Sequence, residues 1–368
     1  MSSTTAHASG PTRSPRQGSL AELALLFLRL GATAFGGPAA HVAILREELV
    51  VKRAWLSDER FLDLLSAANL IPGPNSTELA IHIGYERQRW RGLITAGVCF
   101  IAPAALLTGV LGALYVRLGA HPAAEKILYG LRPVLLAIVL QAVWSLAPKA
   151  MPNLRLRVLG ALAFGLSLLQ VNELALLLAA GLVQVPLRRA ALGVIAIVPS
   201  ASLFGVFLKV GSALFGSGYV LLSLLRSELV VQRGWLDEKT LLDAIVVGQV
   251  TPGPLFTSAT FIGYLLRGPW GALVATVGIF MPAFVLVAAS APFVARMRSA
   301  PDLSAFLDGV NAASVALMAA VLVQTVHAAV VDLPSAALAL VSAVLTIHLR
   351  VNTLWLVLLG SLVGLTLR

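Results

Sequence analysis

Long apolar runs, separated by short polar or charged stretches, alternate along almost the whole chain. Most last about 20 residues or a little more, enough to carry an α-helix across the hydrocarbon core of a bilayer. Five candidate crossings fall in the first half, at Leu20–Gly37, Leu62–Tyr85, Gly92–Val116, Gly130–Ala147 and Val158–Val185. Five counterparts follow, at Val194–Gly216, Leu241–Leu265, Gly271–Ala295, Gly309–Val330 and Ser335–Leu365. The pattern predicts an all-α polytopic membrane protein of about ten helices. The fifth run of each half carries Asn172 and Glu173, or Arg350 and Asn352, near its middle. It reads either as one tilted helix or as two short ones.

The two halves are copies. Shifted by 180 positions, Phe27-Leu28-Arg29-Leu30-Gly31 meets Phe207-Leu208-Lys209-Val210-Gly211, and Phe35-Gly36 meets Phe215-Gly216. Arg46, Glu48-Leu49-Val50-Val51, Arg53 and Trp55-Leu56 meet Arg226, Glu228-Leu229-Val230-Val231, Arg233 and Trp235-Leu236. Asp63 meets Asp243, and Pro72-Gly73-Pro74 meets Pro252-Gly253-Pro254. About 20 of the 56 positions from Phe27 to His82 are identical, a strong internal repeat. The division is then a tail at 1–18, a first transmembrane repeat at 19–189 and a second at 190–368.

An odd number of crossings per repeat turns the second copy over. The loops Glu86–Arg91 and Lys149–Arg157 together carry six Lys or Arg, whereas their counterparts around Arg267 and Asp332 carry one. Copies that face opposite ways produce that asymmetry, because basic loops stay cytoplasmic. Arg188 and Arg189 would lie outside in this arrangement and count against it. An inverted repeat remains the favoured reading.

Composition agrees with a lipid environment. Only 12% of residues are charged and 58% are hydrophobic, against about 25% charged in soluble domains. Mean hydropathy is +0.89. The formal net charge of +10 is explained by loop retention of Lys and Arg, and no nucleic-acid signature accompanies it. Cys99 is the single cysteine, so no disulfide or cysteine metal site forms within one chain. Residues 1–18, rich in Ser, Thr, Gly, Pro and Arg, read as a disordered tail before a retained first helix.

The candidate chemistry lies at the two Pro-Gly-Pro motifs, which interrupt equivalent apolar segments. Two prolines around a glycine remove backbone donors and disfavour helix just before each proline. A helix that restarts at the second proline points free N–H groups and a positive dipole end into the gap, a natural anion site. The expected binding residues are Asn69, Pro72, Gly73, Pro74, Asn75, Ser76 and Thr77 in the first repeat. In the second they are Gln249, Pro252, Gly253, Pro254, Thr257 and Ser258. Ser76, Thr77, Thr257 and Ser258 offer hydroxyl donors, and Asn69 and Gln249 offer amides. The competing reading makes each motif a structural kink or a surface loop.

Arg29 and Lys209 are equivalent cations inside the first apolar run of each half. They either attract the anion or snorkel to the interface. Arg46 and Arg226, with Glu48 and Glu228, sit on amphipathic stretches ending in Trp55 and Trp235, which suggests interfacial helices with structural ion pairs. Glu78, His82 and His41 are titratable and are the candidates for proton coupling. Leu221, Ile262 and Ser258 occupy the positions equivalent to His41, His82 and Glu78.

Phe35-Gly36-Gly37-Pro38-Ala39-Ala40-His41, the Arg46 to Leu56 stretch and Leu70-Ile71-Pro72-Gly73-Pro74 resemble the chromate ion transporter family. Gly248-Gln249-Val250-Thr251-Pro252-Gly253-Pro254 through Tyr264 is similar to the matching motif of its long, two-domain members. The resemblance spans nearly everything after the tail. It implies a multi-pass inner-membrane protein that exports chromate, driven by the membrane potential or a proton gradient, with sulfate as a related oxyanion. Glu78 departs from the glutamine common there in the family, and a carboxylate repels a dianion unless protonated or turned away. The expected partners are a chromate- or sulfate-like oxyanion and the lipid bilayer, with a homodimer left open and no nucleic acid. No cofactor or metal is expected.

Two other classes compete. A membrane-embedded enzyme would need converging His, Asp, Glu or Cys, and the breaks supply only Glu78 and His82, in one half. No phosphate-binding loop signals ATP hydrolysis. A passive anion channel shares every feature above, and downhill-only flux would identify it.

Overall fold

The computed structural model describes residues 19–35, 37–118, 122–185, 202–214, 220–293, 301–349 and 351–367. The tail 1–18, Gly36, the boundary at 189–190, Arg188, Arg189, Phe215, Gly216 and Arg350 lie outside the described residues.

The first repeat opens with α1 (Leu20–Thr33), whose Leu23, Leu26, Phe27 and Leu30 form one buried stripe at helical spacing. Ser19 caps it by accepting from the Glu22 amide at 3.1 Å. Next come α2 (Gly37–Arg46), a π-helical turn (Glu47–Lys52) and α3 (Asp58–Asn69), the last capped by Ser57. The Pro-Gly-Pro follows, and then α4 (Asn75–Leu118). Gln88 and Arg89 leave helical geometry inside α4, and a Cβ on Gly84 would collide with the carbonyl of Gly92. Residues eight apart in sequence touch only if the chain doubles back, so α4 is a hairpin of two arms. The repeat ends with α5 (Pro122–Ala150), α6 (Leu154–Leu168) and α7 (Glu173–Gln184).

The second repeat restates this plan. It runs α8 (Leu203–Ala213), α9 (Val220–Leu225) with its π-helical turn (Arg226–Val231), and α10 (Glu238–Val250). A 3-10 turn (Leu255–Thr257) leads into α11 (Ser258–Ser290), whose arms break at Arg267 and Gly268 and touch at Gly263 and Gly271. Then follow α12 (Pro301–Ala329), α13 (Leu333–Ile347) and α14 (Thr353–Leu367).

The described residues are helical in both halves, as expected for an all-α membrane protein of two repeats. Among the described residues, four helical segments are long and apolar enough to cross a bilayer: Asn75–Leu118 and Leu255–Ser290, each kinked between its arms, and Pro122–Ala150 and 304–329. Several of the other expected crossings are assembled from shorter pieces. Leu62–Tyr85 is divided by the first Pro-Gly-Pro, and Val158–Val185 is two short helices parted at Gln170, whose φ is +61°. Asn172 ends that gap by capping α7, accepting from the Ala175 amide at 3.1 Å.

The equivalent long arms run in opposite directions. Gly97 on α4 abuts the Phe284 ring, while Gly109 faces Thr260, whose hydroxyl meets that of Thr276 at 2.7 Å. Advancing along α4 therefore retreats along the second arm of α11, the relation an inverted repeat requires. The last helices are exchanged between copies. A Cβ on Gly130 of α5 would collide with the carbonyl of Gly360 on α14, and one on Gly309 of α12 with that of Ala180 on α7. Backbones approach this closely only where Cβ is absent. Outward-facing apolar side chains such as Leu106 (71% exposed) and Leu333 (83%) find their solvent in lipid.

Candidate functional site

Each Pro-Gly-Pro is docked on the first helix of the other repeat. Gly73 N–H donates to the Leu214 carbonyl at the end of α8 (2.6 Å), and Gly253 N–H donates to the Ala34 carbonyl at the end of α1 (2.8 Å). Both glycines hold left-handed backbone, φ +141° and +93°. The two breaks thus meet the seam between the repeats in a reciprocal arrangement that the shift of 180 residues reproduces.

This docking corrects the expectation of free glycine amides: both are capped by protein carbonyls. The remaining helix N-terminal donors lie one step along the chain. Thr77 N–H and Thr257 N–H turn back to the Pro74 and Pro254 carbonyls at 2.7 and 3.0 Å. The amides of Asn75, Ser76, Leu255 and Phe256 carry no bond among the described residues. They are the donors left for a guest.

The hydroxyl groups divide by repeat. In the second, Thr257 and Ser258 donate to the Pro254 and Leu255 carbonyls (2.9 and 2.8 Å), so these expected oxyanion donors are already engaged. A hydroxyl in the first turn of a helix finds the carbonyl three residues back, sharing it with a backbone amide, before it finds a ligand. In the first repeat Ser76 Oγ meets His41 Nδ1 at 3.3 Å, and Thr77 Oγ1 is buried without a partner among the described residues. Asn69 Oδ1 accepts from Asn75 Nδ2 at 2.7 Å, bridging the first break. Gln249 Nε2 is buried and has no partner among the described residues.

Among the described residues, titratable groups gather at the first break and not at the second. Glu78 and His82, one turn apart on α4, are buried, and no hydrogen-bond partner for either side chain occurs among the described residues. A Cβ on Gly73 would collide with Oε1 of Glu78, so the carboxyl group turns back onto the Pro-Gly-Pro.

The two intramembrane cations are not turned toward the breaks. Arg29 pairs with Glu48 at 3.2 Å, and Lys209 with Glu228 at 2.6 Å. Glu48 also holds Lys52 at 2.9 Å, and Arg46 and Arg226 pair with Asp58 and Glu238. The expected structural ion pairing is present with different partners, because π-helical turns rotate Glu48 and Glu228 inward.

One buried cluster escaped the sequence reading. Arg132 on α5 makes a two-pronged pair with Asp243 on α10 (2.7 and 3.0 Å), and Tyr115 hydroxyl donates to the same carboxylate at 2.9 Å. The cluster joins the repeats. Its signal was a lone arginine in an otherwise apolar run, with Asn311 at the equivalent place in the second repeat.

A family model described as chromate transporter matches the chain twice, over residues 21–185 and 201–365. The chain is 31% identical over 355 residues to a chromate transport protein of Cupriavidus metallidurans, covering 90% of this chain and 88% of that protein. It is 31% identical over 343 residues to a chromate transport protein of Pseudomonas aeruginosa, covering 84% and 82%. A probable chromate transport protein of Synechococcus elongatus is 29% identical, covering 89% of each. No solved structure matches the chain.

Proposed function

This chain belongs to the chromate transporter family, and we propose that it is a secondary active transporter exporting chromate, or a related oxyanion such as sulfate, across the inner membrane. It is a multi-pass membrane protein built as two inverted repeats, a plan that puts transporter sites between broken helices at the repeat interface. The observation that carries the proposal is the reciprocal docking of Gly73 on Leu214 and Gly253 on Ala34. Through it, any movement of one repeat against the other reaches both breaks at once.

The anion is held by the amides of Asn75, Ser76, Leu255 and Phe256, aided by the dipole ends of α4 and α11. Asn69, Thr77 and Gln249 supply polar side chains beside them. Arg29 and Lys209 add little attraction for the anion, since each is neutralised locally by a glutamate. A tetrahedral dianion suits paired amide donors better than it suits a rigid cation clamp, because release requires that the site not hold it too tightly.

Flux in proteoliposomes tests this reading. Wild-type protein is expected to move chromate against its gradient when a membrane potential or proton gradient is imposed, with sulfate, molybdate and phosphate competing in graded order. Pro72→Ala and Pro254→Ala are expected to abolish the flux. Chromate movement no faster than in empty vesicles would reject the proposal. Flux that never exceeds the electrochemical gradient would assign a passive anion channel instead.

A further inference from the structure

Resting on the oxyanion-transport reading, we propose that Glu78 is the proton-carrying group of the anion site. As a neutral acid it donates its O–H to an oxyanion seated at the first break, and as a carboxylate it closes that break to anions.

Glu78 is fully buried, and neither carboxyl oxygen has a partner among the described residues. It lies at the start of α4 with Oε1 against Gly73, so it is aimed into the break. A carboxylate without a cation or donors is costly in such a place. The neutral acid carries one donor that lacks an acceptor. An oxyanion bonded to the Asn75 and Ser76 amides would supply that acceptor, and the unpartnered Thr77 hydroxyl stands beside it. An ionised Glu78 instead sets a negative charge against the same helix end and repels a dianion.

The surrounding groups leave this role to Glu78. On α4 itself the nearest titratable group is His82, one turn further along. From α2, His41 is held between the Ala34 carbonyl (3.0 Å) and Ser76 (3.3 Å). On α3, Arg60 is paired with Glu86 at 2.8 Å, with Asp63 one turn further along the helix. From the second repeat, Leu214 brings a carbonyl and Ala283 a methyl group to Gly73. Ser258 and Ile262, at the positions matching Glu78 and His82, do not titrate. One repeat therefore binds a proton and the other does not. In balance, one proton crosses on Glu78 in the same direction as each oxyanion and leaves when Glu78 ionises, so a chromate dianion carries one net negative charge, which an inside-negative potential drives outward.

The test is chromate binding to the purified full-length protein from about pH 6 to about pH 10, a range that brackets buried glutamates. Wild-type affinity is expected to fall by about tenfold per pH unit once Glu78 ionises. Glu78→Gln, which keeps a donor and cannot ionise, is expected to show no pH dependence beyond that of chromate itself, and His82→Gln to keep the wild-type profile. Glu78→Asp is expected to shift the profile without flattening it. Chromate's own protonation is common to all four proteins and cancels in the comparison. In proteoliposomes a lumenal pH dye should register one proton per oxyanion for wild type and none for Glu78→Gln. A flat wild-type profile, an unchanged profile in Glu78→Gln, or flattening by His82→Gln would each overturn the proposal while leaving transport intact. Wild-type protein that binds no oxyanion at any pH would overturn the transport reading itself.

Discussion

His41 and Gly253 donate to the same oxygen, the carbonyl of Ala34, from Nε2 at 3.0 Å and from the backbone amide at 2.8 Å. A carbonyl only accepts, so Nε2 carries a proton, and in the neutral ring Nδ1 accepts from Ser76 Oγ. One imidazole thus ties the first turn after the first break to the anchor of the second. Leu221, its counterpart, makes no such link. His41→Leu is expected to leave the Ser76 hydroxyl unpaired and to cost about 1–3 kcal/mol. Thermal unfolding in detergent measures it, and an unchanged midpoint would deny the link.

The glycines of the two breaks are expected to differ. A Cβ on Gly253 would meet the Ala104 side chain at 2.7 Å and the Gly31 carbonyl at 2.9 Å, both on packed helices. A Cβ on Gly73 would meet only the movable Glu78 carboxyl and, at 3.6 Å, the Ala283 methyl. Both alanines are strained by positive φ, and Gly253→Ala adds a clash with packed backbone, so it should lose more folded protein than Gly73→Ala, whose folded fraction should lose transport. Gly234→Ala is the control: φ is +60° there with open space around it, and the matching Ala54 already adopts φ +48°. Yield by size-exclusion chromatography and flux separate the three.

Removing one partner of the Arg132–Asp243 pair, whose side chains are 6% and 0% exposed, leaves Arg132 with the half-buried Glu125 at 3.3 Å, or Asp243 with the neutral Tyr115 hydroxyl. Asp243→Ala is expected to cost about 3–5 kcal/mol, and a joint Arg132→Met, Asp243→Leu replacement to recover most of it. Equal losses in the single and joint variants would show that the charges themselves are required.

Lys209→Gln should harm the protein more than Arg29→Gln. The Arg29 side chain is 59% exposed and shares Glu48 with Lys52 at 2.9 Å and Arg53 at 3.8 Å. Lys209 is 11% exposed, and without it Glu228 keeps Arg233 as its one cation among the described residues, the neutral Gln232 standing where Lys52 would. The midpoint of thermal unfolding should drop by several degrees for Lys209→Gln and hardly move for Arg29→Gln.

The sequence alone determined the membrane environment, the doubling and the positions of both breaks. Apolar run length, a 180-residue self-match and the proline–glycine chemistry of Pro72-Gly73-Pro74 and Pro252-Gly253-Pro254 are local properties, written residue by residue. Tertiary structure decided which groups remain free. Leu214 and Ala34 took the glycine amides, Glu48 and Glu228 took Arg29 and Lys209, and backbone carbonyls took Thr257 and Ser258. In a low-dielectric interior every donor seeks an acceptor. Those acceptors come from carbonyls and carboxylates that only folding brings near, one of them more than half the chain away. The same constraint draws attention to Glu78, His82, Thr77 and Gln249, which bring to the breaks buried polar atoms without a partner among the described residues, a fact only the fold reveals.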